Sequence, residues 1–342
     1  MSVKLKPVSE QTIVLTGATS GNGLATVREA ARRGAKLVLA ARNEEALEEI
    51  AAELRAGGAQ VAICVADVAS EEDVERIAQT AIDTFGGFDT WVNDAAAAAY
   101  GQMDETPMAD HRRIFDVNYF GLLKGSLVAA AHLRTKGGAI INLGSVLSDR
   151  AMIFQGAYSA TKHAVKAATD ALRMELERSD APISVTLIKP GAIHTPYPEH
   201  ARSFMEEPPR LPAVMYDPRL VADAILFAAE NPRRHLYIGG NGYMISMLGW
   251  YAPRLSDTLM KLVGRNAQTD PDQPTDPAAR DNLYEPRKDG SVDGHQDYYV
   301  RQSSLLLEAQ KSPLKAAAAL AVGPLAVLAW AANRRGSTTK RS

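Results

Sequence analysis

The stretch Thr12–Gly34, "TIVLTGATSGNGLATVREAARRG", decides the fold. Five apolar or β-branched residues run into a cluster of glycines, Gly17, Gly21 and Gly23, and a helical pattern follows at once. A strand feeding a helix through a glycine-rich turn lets the backbone approach an anion closely. The helix N-terminus then offers unpaired N–H groups and a partial positive charge. Gly17, Ser20, Gly21, Asn22 and Gly23 are therefore candidate contacts for a pyrophosphate.

The same texture repeats along the chain. Short runs rich in Val, Ile and Leu fall near 36–41, 60–66, 90–93, 139–144, 183–188 and 235–239, with helical stretches between them. Strands that are apolar throughout, alternating with helices, predict a parallel sheet covered on both faces. The expected architecture is a doubly wound α/β sheet of seven strands, with its ligand crevice at the carboxyl ends of the strands. Residues 1–264 form the expected catalytic domain. Residues 265–311, rich in Pro, Asp and Gly, read as a polar strap or linker that cannot bury enough to fold alone. Residues 312–342 carry an uncharged, Ala-rich hydrophobic helix, Ala316 to Ala332, and a basic tail.

Composition narrows the function classes. With 38 basic and 40 acidic residues the net charge is −2, so no global field argues for nucleic acid, and phosphate binding has to be local. The lone Cys64 sits in an apolar run, "QVAICVAD", and reads as a buried strand thiol. The N-terminus has no signal-peptide core, which points to the cytoplasm. Ala316–Ala332 is short for a membrane span and is broken by Gly323-Pro324. Two readings stay open for it: a helix lying on the membrane surface with help from its basic flanks, or one packed on protein.

Further motifs supply the chemistry. In "YSATK", Tyr158 and Lys162 stand four apart where a helix begins, so a phenol and an ammonium share one face. The second strand runs into "LVLAARNEE", where Arg42 stands at a position that in dinucleotide folds usually holds an acidic residue for the ribose hydroxyls. An Arg there favours NADP over NAD; the alternative is a cap that pairs with Glu44 or Glu45.

In chain order these are "TGATSGNG", "ADV" at 66–68, "NDAA" at 93–96, "DVNYFG" around Asn118, "INLGS" ending at Ser145, "YSATK", and "KPGAIHT" ending at Thr195. In this the chain resembles the short-chain dehydrogenase/reductase family, in the branch with a Rossmann domain of about 250 residues, over roughly Val8 to Gly240. The resemblance implies a catalytic tetrad of Asn118, Ser145, Tyr158 and Lys162. It also implies cofactor contacts from Asp67 and Val68 at the adenine and from Asn93 and Thr195 around the nicotinamide half. A homodimer or homotetramer through helices near 109–134 and 156–178 is expected.

The chemistry fits those residue types. A phenol with pKa near 10 needs a neighbouring cation to act as a base at neutral pH, Ser145 can orient a substrate oxygen, and no metal is required. Two departures stand out: Asp94-Ala95-Ala96 where the family has Asn-Ala-Gly, and Asn22 where it has an aliphatic residue.

The expected activity is hydride transfer between NADP(H) and the carbonyl or secondary alcohol of a lipophilic small molecule. Tyr197, Phe204, Met205, Leu211, Val214, Met215 and Tyr216 are candidates for an apolar lid wall. The alternative is a catalytically silent cofactor-binding scaffold that uses the C-terminal extension for membrane or protein contacts.

Overall fold

A computed structural model describes residues 3–272, 280–287 and 290–314. Strands β1 (Thr12–Thr16), β2 (Lys36–Ala41), β3 (Val61–Val65) and β4 (Thr90–Asn93) alternate with helices α1 (Gly21–Arg32), α2 (Glu44–Ala56) and α3 (Glu71–Phe85). A short strand, β5 (Ala99–Tyr100), precedes α4 (Met108–Phe115), a π-helical turn (Asp116–Gly121) and α5 (Leu122–Leu133). Then come β6 (Gly138–Leu143), α6 (Gly156–Arg178) and β7 (Ile183–Pro190). The lid region holds α7 (Tyr197–His200), β8 (Arg202–Ser203) and β9 (Met215–Tyr216), and α8 (Pro218–Glu230) leads to β10 (His235–Ile238). The chain continues through α9 (Gly240–Tyr251), α10 (Pro253–Val263), β11 (Val300–Arg301) and α11 (Leu305–Lys311).

Seven strands form one parallel sheet in the order β10-β7-β6-β4-β1-β2-β3, the doubly wound arrangement expected from the sequence. The apolar runs explain it. In β1, Ile13 and Leu15 point into a core built with Leu24 and Val27 of α1, Leu47 of α2 and Ile225 of α8. Val14 between them points into a second core with Ile77 of α3, Leu133 of α5 and Leu176 of α6. Period-two alternation thus feeds two apolar faces, so the central residues Ile13, Val14 and Leu15 are all apolar. The order reverses between β1 and β4, and the crevice opens at their carboxyl ends.

The segment beyond Gly264 packs back on the sheet domain. Leu283 is buried with Ala97, Ile114 and Val117, and Val292 joins the core beneath α8. β11 pairs in parallel with β9, and Gln310 of α11 donates to the Tyr237 carbonyl at 3.0 Å, covering the edge strand β10. The anchors of this segment are scattered single residues that share the core of the sheet domain. Among the described residues no helix is long and apolar enough to cross a membrane. The run Ala316–Ala332 lies outside the described residues.

Candidate active site

The glycine turn closes on itself. Gly17 has φ +78°, and a Cβ there would lie 2.8 Å from the Ala95 amide nitrogen. At Gly23 a Cβ would stand 2.0 Å from the Gly17 carbonyl oxygen, so any side chain there would push the turn away from α1. Ser20, the residue before α1, makes no side-chain cap, and the Asn22 Oδ1 is a buried acceptor with no protein partner. A helix start with no side-chain cap from Ser20, facing a cleft, fits an anionic ligand, while the orphaned Asn22 Oδ1 is an acceptor and calls for a donor instead.

The cleft runs along the ends of β1, β2, β4 and β6. Gly17, Ser20, Gly21, Asn22, Arg42, Asp67, Val68, Thr195, Ser145, Tyr158 and Lys162 all line it, so sequence candidates scattered over 179 positions converge. Gly23 sits behind this wall, against Gly17 and Asp94.

Two more candidates, Asn93 and Asn118, also stand apart from the cleft wall. Asn93 is buried below it, donating from Nδ2 to Asn142 Oδ1 at 2.8 Å and accepting from the Trp91 indole at 2.8 Å. Asn118 sits in the π-helical turn. Its Oδ1 accepts from the Ala97 amide at 2.7 Å, while its Nδ2 donates to the Ala97 carbonyl at 2.9 Å and to Thr161 Oγ1 at 3.1 Å. The side chain thus pins the loop after β4 to α6, and the long helix expected here is interrupted, as π-turns often are near functional groups.

Tyr158 and Lys162 lie one turn apart near the start of α6. The Lys162 Nζ donates to the Leu143 carbonyl at 2.7 Å and stands 5.4 Å from the centroid of the Tyr158 ring. Ser145 Oγ accepts from the Leu147 amide at 3.1 Å and hydrogen-bonds the Tyr158 phenol. Burial raises the phenol above its ordinary pKa and Asp94 adds to the rise, while the Ser145 bond opposes it. Burial lowers Lys162 from 10.5 to about 8, against the pull of Asp94.

Asp94, noted in the sequence only as a departure, lines the cleft and accepts the Gly23 backbone N–H. Burial raises its carboxyl from 3.8 to about 7, with Lys162 and the Gly23 bond opposing.

At the other end of the cleft, Asp67 is held by Arg113 at 2.6 Å and by the Ala69 amide at 3.0 Å. Arg42 donates to the Tyr284 carbonyl at 2.9 Å and also to the Asn282 carbonyl, so the strap takes it where the sequence suggested a cap on Glu44 or Glu45. The strap also crosses the glycine turn, where the Gly21 amide donates to the Ser291 carbonyl at 2.8 Å.

Of the expected lid wall, Tyr197 and Leu211 face the cleft. Met215 and Tyr216 are instead buried in β9, and Phe204 packs away beside Ile114 and Val117. The rest of the apolar wall comes from residues the sequence reading passed over, Val146, Leu147, Met152 and Ile245. Their signal is weak, because isolated apolar residues after β6 and in α9 look like ordinary core. Tyr197 also stacks edge-on against Tyr158, with centroids 5.4 Å apart.

Comparison with known proteins agrees with this geometry. The family described as short chain dehydrogenase matches residues 11–206. An uncharacterized oxidoreductase, YxnA of Bacillus subtilis (strain 168), is 44% identical over 97% of this chain and 93% of its own length. A short chain dehydrogenase/reductase from Burkholderia phymatum in complex with NAD superposes with a TM-score of 0.62 at 26% identity, covering 81% of this chain and 99% of that one. The L-sorbose reductase of Gluconobacter frateurii, complexed with NADPH and L-sorbose, has the same fold, with a TM-score of 0.60 at 23% identity over 70% of this chain and 98% of that one.

Proposed function

The chain belongs to the short chain dehydrogenase family, and from that premise we propose that it is an NADP(H)-dependent oxidoreductase interconverting a carbonyl and a secondary alcohol on an apolar skeleton. The observation that carries this reading is the Tyr158 phenol, hydrogen-bonded to Ser145 with the Lys162 ammonium 5.4 Å from its ring centroid, at one end of a cleft whose middle is a glycine turn.

The dinucleotide, when bound, supplies or takes the hydride, and the protein manages the proton. In the reducing direction Tyr158 gives its proton to the carbonyl oxygen while Ser145 holds that oxygen by a hydrogen bond. The resulting phenolate is stabilised by the Lys162 cation. In the oxidising direction the same phenolate accepts the alcohol proton. A phenol raised above its ordinary pKa is held protonated at neutral pH, which suits it to act first as the acid. Gly17, Ser20, Gly21 and Asn22 would hold the pyrophosphate, with Asp67 and Val68 at the adenine. Arg42, with no acidic residue at the end of β2, supports a preference for the 2′-phosphate.

The apolar wall of Val146, Leu147, Met152, Tyr197, Leu211 and Ile245 supports a lipophilic substrate. Exposed Phe120, Leu127 and Met174, on the π-turn, α5 and α6, support association of copies through those helices. The outward stripe of α10, Leu255, Leu259 and Leu262, beside exposed Trp250 and Tyr251, supports contact with a lipid surface in addition to any from Ala316–Ala332. A panel of ketones assayed by loss of NADPH absorbance tests the activity. No turnover beyond that of Tyr158→Phe on any substrate would favour the silent scaffold.

A further inference from the structure

We propose that Gln268, beyond the end of α10, is a positioning residue for the reaction. Acting through Gln155, it fixes the place of Tyr197 in the lid and the partner to which that phenol gives its proton; this rests on reading Tyr158 as the acid of the site. Gln268 lies outside every motif of the family and beyond the residues 11–206 that match it.

Gln268 is wholly buried and Gln155 is 5% exposed. The Gln268 Nε2 donates to the Ile153 carbonyl at 2.9 Å and to the Gly264 carbonyl at 2.9 Å. Its Oε1 accepts from Gln155 Nε2 at 2.7 Å, and Gln155 Oε1 accepts from the Tyr197 phenol at 2.9 Å. Tyr197 stands edge-on to Tyr158, and both line the cleft together with Gln155. One chain of hydrogen bonds thus runs from the end of α10 through the loop before α6 to the lid, and ends on the ring beside Tyr158.

The direction of the chain follows from its far end. A carbonyl oxygen only accepts, so the two backbone carbonyls claim both N–H groups of Gln268 and leave its oxygen facing Gln155. Gln155 has to present its amide nitrogen to that oxygen and its own oxygen to Tyr197. Tyr197 therefore donates, and its one proton is engaged within the protein. Of the two stacked phenols, Tyr158 is left to protonate a substrate. The loop that carries Gln155 is strained as well. Phe154 has φ +61°, a left-handed conformation that a bulky residue keeps only when its surroundings hold it. The Gln268 bond to the Ile153 carbonyl and the Gly101 amide bond to the Phe154 carbonyl, at 2.9 Å each, hold it from two sides.

The test uses the full chain, its Gln268→Met, Gln268→Glu and Tyr197→Phe variants, and Gln268→Met combined with Tyr197→Phe. Met approximates the size of Gln without its hydrogen bonds, and Glu keeps the acceptor toward Gln155. The kinetic probe is the ketone of the panel that the parent reduces fastest; NADPH affinity and hydrogen exchange of the lid amides in residues 197–204 are measured beside it. Gln268→Met is expected to raise KM for the ketone about tenfold and to speed lid exchange about tenfold. Its kcat stays within about threefold and its NADPH affinity within about twofold of the parent. Tyr197→Phe, which deletes the last bond of the chain, gives the same rise, and the double variant gives no more than either. Gln268→Glu lies between, and combined with Tyr197→Phe it carries the same comparison if the Met variant does not fold. Additive losses in the double variant overturn the proposal, because Gln268 then acts only by packing α10. Unchanged KM and lid exchange overturn it too, as does a loss confined to NADPH affinity. If the parent reduces no ketone while lid exchange rises equally in both single variants and the double, the reductase reading falls and the placing of Tyr197 by Gln268 stands.

Discussion

The carboxyl of Asp94 and the ammonium of Lys162 face one cleft as an opposed pair, each pushed toward its neutral form by burial and each pulled back toward its charged form by the other. A carboxyl raised from 3.8 to about 7 binds its proton more tightly folded than unfolded, so it removes stability as pH rises through that interval. Asp94→Asn abolishes this loss and keeps an acceptor for the Gly23 amide. We expect the variant to be more stable than the parent at pH 8 and no more stable at pH 3. The gain is on the order of 1–2 kcal/mol, below what the full shift would set because cleft water screens the group. Urea melts at the two pH values measure it, and equal stability at pH 8 would show that Asp94 is not strained by burial.

The same variant moves the lysine. Lys162 is lowered from 10.5 to about 8, and the Asp94 carboxylate opposes that fall, so removing it lowers Lys162 further. If the cation helps hold the cofactor, NADPH affinity is lost as pH rises through the Lys162 pKa. In Asp94→Asn that loss moves to lower pH. Fluorescence titration of NADPH between pH 6 and 9 reads the midpoint, and a midpoint that stays in place contradicts the coupling.

Tyr158→Phe deletes the phenolic proton and leaves the ring that stacks on Tyr197. Turnover should fall by several orders of magnitude while NADPH affinity stays within about twofold. A variant retaining a tenth of the parent kcat would remove Tyr158 from the proton step.

What the sequence revealed of this site follows from what kind of constraint each residue obeys. The β1 run and the Gly17 turn were legible because apolar periodicity and glycine at a positive φ are local demands, and Tyr158 with Lys162 because helical spacing is local too. Asp94 was visible as a departure, but its raised pKa depends on burial that only the assembled cleft creates. The role of Arg42 in binding Asn282 and Tyr284 was hidden because the partners are backbone carbonyls 240 and 242 residues away, which carry no side-chain signature. The strap has the sequence of a polar linker for a related reason: its anchors, Leu283, Val292 and Leu307, are single apolar residues with no period.

Arg42→Asp should lower the ratio of NADP to NAD efficiency, since a carboxylate repels the 2′-phosphate and accepts ribose hydroxyls. It also leaves the Tyr284 and Asn282 carbonyls without their donor, so a lowered melting temperature is expected beside the switch. Steady-state kinetics with both cofactors checks the first effect and thermal melts the second. An unchanged ratio would mean that Arg42 serves the strap alone.

Removing all residues after Ser312 takes away Ala316–Ala332 and its cations but leaves every motif and all of α11. The truncated chain should bind NADPH like the parent. The full chain should co-sediment with anionic phospholipid vesicles at low salt and be partly released at high salt, because a weakly apolar run needs the added attraction of its basic flanks. The outward stripe on α10 makes a second arm informative. If the truncated chain still sediments and Leu255→Glu with Leu259→Glu in that background abolishes it, the α10 face holds the lipid and the tail only adds to it. If neither form sediments and truncation lowers the melting temperature, the tail is a packing helix and the membrane reading fails.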